Sequence, residues 1–121
     1  MYSIDRNREA RIVEVTMAGF WDLAEMDRFE SAMEATVFAL RSTRIPWGIL
    51  ADASDMAIQG QDIVARHTAL FAKHADVWAG RVAMVTPSAL MKLQTGRVVA
   101  GDGMSFFGDV ATARAWLISQ N

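Results

Sequence analysis

The side chains in this sequence best suited to move protons near neutral pH or to ligate a metal are two histidines, His67 and His74. On one helix, residues seven apart fall within about 20° of each other and about 10.5 Å apart along the axis. A zinc ion needs each nitrogen about 2.0–2.1 Å away, a condition met by a spacing of four but not of seven. The two rings therefore cannot share a metal. Each either packs at the core boundary and bonds a carbonyl or carboxylate, or stands as a polar point lining an apolar cleft.

The remaining chemistry-bearing residues are more scattered. Asp52 and Asp55 could hold magnesium or do acid–base work, but no third acid, phosphate-binding glycine loop or nearby lysine accompanies them. Helix capping or solvated loop charge accounts for them more simply. Ser54, Ser88 and Ser105 lie in no Gly-x-Ser-x-Gly elbow. Gly101-Asp102-Gly103 lacks the spacing and the Lys-Ser or Lys-Thr pair of a phosphate-binding loop, and the dinucleotide fingerprint is missing, so these glycines read as turns. No catalytic residue, cofactor site or metal site is expected, and the chain is read as no enzyme.

The elements that must position these residues follow from periodicity. In 11–17, Val13, Val15 and Met17 point one way and Ile12, Glu14 and Thr16 the other, which is a strand. Tyr2 to Asp5 is a weaker strand joined to it by a polar turn, so the pair should be antiparallel and form a sheet edge. Asp22 is placed to cap a helix over 23–41, whose stripe is Met26, Phe29, Met33, Val37 and Leu40. Continuous apolar runs at 47–51 and 81–85 predict strands buried on both faces. Between them, 59–78 carries Ile63, His67, Leu70, Phe71, His74, Val77 and Trp78 at helical spacing and reads as one long second helix. A helix over 88–100, a short strand over 104–107 and a closing helix capped by Asp109 complete the order. Strands alternating with helices imply an α/β fold, a mostly parallel sheet of about five strands with an antiparallel edge hairpin and four helices, the helices covering mainly one sheet face.

Composition bounds the rest. The 121 residues suit one domain spanning 1–121, and a net charge of -2 gives no field for nucleic acid or an anionic membrane. The absence of cysteine excludes disulfides, thiolate metal sites and a cysteine nucleophile. No apolar run approaches the ~20 residues of a membrane span, and the charged start carries no signal-peptide pattern, so a soluble cytoplasmic domain is expected. Eight methionines and four tryptophans are a surplus of large soft side chains, fit for core filling and also for adaptable binding surfaces.

Three stretches carry a family resemblance: Gly19-Phe20-Trp21-Asp22 after the second strand, Trp47-Gly48-Ile49-Leu50-Ala51-Asp52, and Phe106-Phe107-Gly108-Asp109 followed by Ala113-Arg114-Ala115-Trp116-Leu117. Together with the element order over nearly the whole chain, they resemble STAS-type, anti-sigma-factor-antagonist-like domains, nearest the small bacterial proteins grouped as STAS/CRAL-TRIO-like. Antagonists of that family carry a phosphorylatable serine after the third strand, commonly in an Asp-Ser pair. The matching region here, 52–61, holds Ser54 between Asp52 and Asp55, whose charges would repel a phosphate, and no serine opens the second helix. The resemblance implies a non-enzymatic fold used for protein association, including a homodimer, or for holding a hydrophobic, lipid-like small molecule in a cleft beside helix two. That cleft would have His67 and His74 as polar points and Phe71, Met56 and Ile58 as apolar lining. The homodimer is expected through the edge strand and the mixed face bearing Ile12.

Overall fold

A computed structural model describes residues 1–86 and 104–120. The helix expected over 88–100 and the glycine turn after it lie outside the described residues. The elements are β1 (Tyr2–Asn7), β2 (Ile12–Gly19), α1 (Leu23–Arg41), β3 (Gly48–Met56), α2 (Gln61–Lys73), α3 (Ala75–Trp78), β4 (Val82–Val85), β5 (Met104–Phe107) and α4 (Val110–Ser119). The five strands form one sheet in sequence order, with β1 antiparallel to β2 and every later neighbour parallel.

The pleat of β2 sorts its side chains as the alternation requires. Val13, Val15 and Met17 enter a large core with Ile49, Ala51, Ala53, Val82 and Met84 from the central strands. That core is roofed by the α1 stripe of Met26, Phe29, Met33, Val37 and Leu40, and by Ile63, Leu70, Phe71, Val77 and Trp78 of α2 and α3. The opposite face carries a smaller core of Ile12, Leu50, Ala83 and Val85 under Ala113 and Leu117 of α4. Three described helices thus cover one face and the fourth covers the other. Ile12 is 0% exposed, so the expectation that it lies on an outer face open to a second copy is corrected: α4 already occupies that face.

Local chemistry sets the helix starts. The Asp22 carboxylate accepts from the Glu25 amide at 2.8 Å, and that of Asp109 accepts from the Thr112 amide at 2.8 Å, each satisfying a donor that the first turn leaves free. Two expectations change. β3 does not stop at Ala51 but runs to Met56 beside β2. Between the pairs Thr16–Asp52 and Ala18–Asp55, β3 advances three residues while β2 advances two, a bulge. Within that bulge the Asp52 carboxylate accepts from the Ser54 amide at 3.0 Å and from its hydroxyl at 2.5 Å, so the polar residues that read as loop hold an irregular strand together.

The second helix also differs: it breaks at His74 into α2 and α3. His74 leaves helical geometry at φ -111°, and Ala79 and Gly80, at φ 49° and 77°, turn the chain into β4.

Candidate functional site

Open parallel sheets place their binding groups beyond the carboxyl ends of their strands, and here that end is built by the loops leaving β2 and β3. Gly19, at φ 81°, lets β2 turn away at once, a conformation that a side chain would strain. Trp21 then points inward, where its indole Nε1 donates to Ala18 O at 2.9 Å and its ring meets Phe29 at a centroid distance of 5.0 Å. Its neighbours Phe20 and Leu23 remain 68% and 53% exposed, and Ile58 on the adjoining loop is 50% exposed. Met56 is half-buried, packed on the main core just below.

One side chain joins the two loops. Gln59 is buried; its Oε1 accepts from the Trp21 amide at 2.9 Å, and its Nε2 donates to Gly19 O at 2.8 Å and Ala57 O at 2.7 Å. The Ala57 amide donates to Gly19 O at 3.2 Å across the same gap. Gln59 thereby serves three main-chain groups, of which Gly19 O also takes the Ala57 amide. The result is a braced rim from which Phe20, Leu23 and Ile58 project as large apolar side chains.

The residues predicted to line a cleft beside helix two divide among four environments. Ile58 belongs to the rim, and Met56 packs on the main core. Phe71 is buried in the main core. His74 is 6% exposed and turned toward α1: its Nδ1 lies 3.2 Å from Arg41 Nη2 and its Nε2 lies 2.8 Å from Glu34 Oε1. A guanidinium only donates, so Nδ1 accepts and the proton sits on Nε2, donating to the carboxylate. That hydrogen bond is the main cause holding Glu34 below the ordinary carboxylate range. Arg41 also pairs with Asp76 of α3, so His74 is one member of a polar clamp between α1 and the α2–α3 break.

His67 stands apart. Its ring packs against Trp21 and Phe29 at centroid distances of 4.9 and 5.3 Å, and Tyr2 closes the cluster against the same two rings. Its Nε2 is buried with no hydrogen-bond partner among the described residues. Burial, and secondarily the charge of Arg66, push its pKa down to about 4. The two histidines therefore do not face one cleft.

The other chemical candidates are equally separated. Asp52 and Ser54 bond each other in the bulge, and Asp55 is exposed beside them. No group of three or more His, Asp or Glu side chains that could hold a metal occurs among the described residues. An open depression of about 330 Å³ lies between the end of α1 and α3, lined by Leu40, Arg44, Ile45 and Val77 among others, away from His67. No helix among the described residues is long and apolar enough to cross a membrane.

Phe20, Leu23 and Gln59 were not among the residues expected to form a site. Only Gln59 between an exposed isoleucine and a glycine could have drawn attention, and its partners lie up to 40 residues away.

No protein-family model and no curated protein matches the chain. Among solved structures, an uncharacterized protein of the DUF3478 family from Shewanella loihica PV-4, described as having a SpoIIAA-like fold, aligns over 97% of this chain and 92% of its own at a TM-score of 0.70 with 20% identity. The fold is SpoIIAA-like. The STAS-type resemblance carried by the element order thus holds for the architecture, a five-stranded sheet with an antiparallel first pair. Within this SpoIIAA-like fold, the region after β3 bears an isoleucine and a glutamine brace, and the serine nearest to it is held by its aspartate neighbour.

Proposed function

We propose that this chain is a non-catalytic, regulatory binding domain of STAS type that engages protein partners, a second copy of itself included, through the rim bearing Phe20, Leu23 and Ile58. The observation that carries the reading is the exposure of these three side chains, Phe20 and Ile58 on loops that Gln59 and the β2–β3 register hold in place and Leu23 at the start of α1. Large apolar groups presented on a rigid frame lose little entropy on docking and anchor interfaces well. Catalysis receives no comparable support, because the Ser54 hydroxyl is engaged by Asp52 and His74 is engaged by Glu34 and Arg41.

Sedimentation and native mass spectrometry of protein purified from a bacterial host test the proposal. Association of the wild type at micromolar concentration, with itself or with a stoichiometric protein, and its loss in Phe20→Ser with Ile58→Ser, is the expected result. A retained small-molecule mass on a strictly monomeric chain would instead support the carrier of a hydrophobic ligand.

A further inference from the structure

At the other end of the parallel strands, two arginines flank Gly48. Arg11 O accepts from the Gly48 amide at 2.9 Å, and Arg81 O accepts from the Ile49 amide at 2.9 Å. A Cβ at Gly48 would lie 3.4 Å from Arg81 Cβ and 3.2 Å from Leu117 Cδ2, so the glycine leaves room for Arg81 beside the last turns of α4. Arg81 is 7% exposed, and its Nε and Nη2 are both buried with no hydrogen-bond partner among the described residues.

Those two nitrogens form one edge of the guanidinium, with parallel N–H groups set for the oxygens of a carboxylate or phosphate. The same edge is filled elsewhere in the molecule: Arg114 Nε and Nη2 reach Glu14 Oε1 at 2.9 and 2.6 Å. At Arg81 no acceptor among the described residues fills that edge, and among them the charged group that acts on it is Arg11, of the same sign. Burial first, and then Arg11, lower its pKa from the usual arginine value, yet a guanidinium stays protonated in proteins. A buried cation within the field of another cation is stabilised by an anion that takes its free donors.

We infer that Arg81, with Arg11 beside it, is a binding site for a small oxyanion, a carboxylate or a phosphate, that takes both donors of the buried guanidinium edge. The site lies at the opposite end of the strands from the apolar rim and does not depend on the role proposed for that rim. Because both nitrogens are closed to water, the anion enters when the local packing opens, and its apparent affinity is lowered by the fraction of time that the site is closed.

The experiment is thermal unfolding of the full chain in chloride, acetate or inorganic phosphate at equal ionic strength and pH, with each anion titrated. The expected result is a saturable rise in Tm with acetate or phosphate beyond that in chloride, since a ligand bound only by the native state stabilises it by mass action. A response to acetate alone assigns a carboxylate, and one to phosphate alone assigns a phosphate. Arg81→Gln should abolish the saturable rise, and Arg11→Gln should weaken the anion about tenfold, the effect of losing one favourable charge contact. Equal curves in all three salts, or a rise that survives Arg81→Gln, overturn the site. Should Arg81→Gln fail to fold, Arg11→Gln decides, and unchanged anion affinity in it overturns the proposal.

Discussion

A ring nitrogen with neither water nor an acceptor is a cost that depends on pH, and His67 bears one. Its pKa falls from the ordinary 6.5 to about 4 in the folded chain, so between those values the unfolded chain holds a proton that the folded chain does not. The His67 contribution to stability should therefore fall as the pH drops from about 6.5 toward 4 and level off below, by about 3 kcal/mol in all if the unfolded histidine is unperturbed. Urea unfolding at pH 7.5 and pH 5 should register about 2 kcal/mol of that loss. His67→Leu should flatten the difference and be at least as stable as the wild type at pH 5. A wild-type stability that does not change across this window would contradict the burial of the unpartnered His67 Nε2.

Gln59 makes the opposite bargain, since all its donors and its acceptor are used on main-chain groups. Gln59→Ala leaves the Trp21 amide and the Gly19 and Ala57 carbonyls without it, and about 1–3 kcal/mol of stability should go with each buried group that water cannot reach. Amide exchange at Trp21 should accelerate more than at the α1 stripe, because the brace opens before the core does. Uniform acceleration across both would show that Gln59 serves the whole fold rather than the rim.

At the scale of elements, legibility followed the range of the determinants. The bounds of α1 were readable from Asp22, which caps three residues ahead, and from a stripe whose members lie three or four apart. β5 and the capped start of α4 were readable for the same reason. The end of β3 was not, because Asp52, Ser54 and Asp55 look like loop until β2 supplies the pairing partner and the bulge supplies a use for the carboxylate. The break at His74 was equally hidden, since the groups that hold the imidazole, Glu34 and Arg41, sit 40 and 33 residues earlier. A periodic stripe through 63–78 is real, but it is shared by two helices.

Element packing also makes Gly48 a test of how α4 seats on the sheet. An added Cβ would come within 3.2 Å of Leu117 Cδ2 and 3.3 Å of Arg81 O; the side chain can give a few tenths of an ångström, but the backbone carbonyl is held by the Ile49 amide. Gly48→Ala should therefore destabilise by about 1–3 kcal/mol through overpacking, read as a lower urea midpoint with an unchanged slope. A neutral or stabilising effect would mean that α4 shifts freely on its face.

At the scale of the whole molecule, two cores of unequal size share one sheet, and the smaller one decides what Ile12 is for. A reading of β2 alone puts Ile12 beside Glu14 and Thr16 on a mixed face, fit for a two-fold contact. In the folded chain, α4 returns from the far edge strand to cover Ile12 with Ala113 and Leu117, and Arg114 pairs with Glu14 at the margin. Ile12→Val should then cost about 0.5–1.5 kcal/mol, the ordinary loss of one buried methylene. Ile12→Glu places a carboxylate in an apolar layer, and native secondary structure should be lost or the urea midpoint should fall steeply. Any loss of association in that variant would report unfolding rather than a broken interface, whereas Phe20→Ser, at an exposed position, should leave the urea midpoint nearly unchanged. Denaturation curves of the three variants side by side settle the point: a fully stable Ile12→Glu chain would mean that α4 does not hold the second face closed, and Ile12 would again become a candidate for contact between copies.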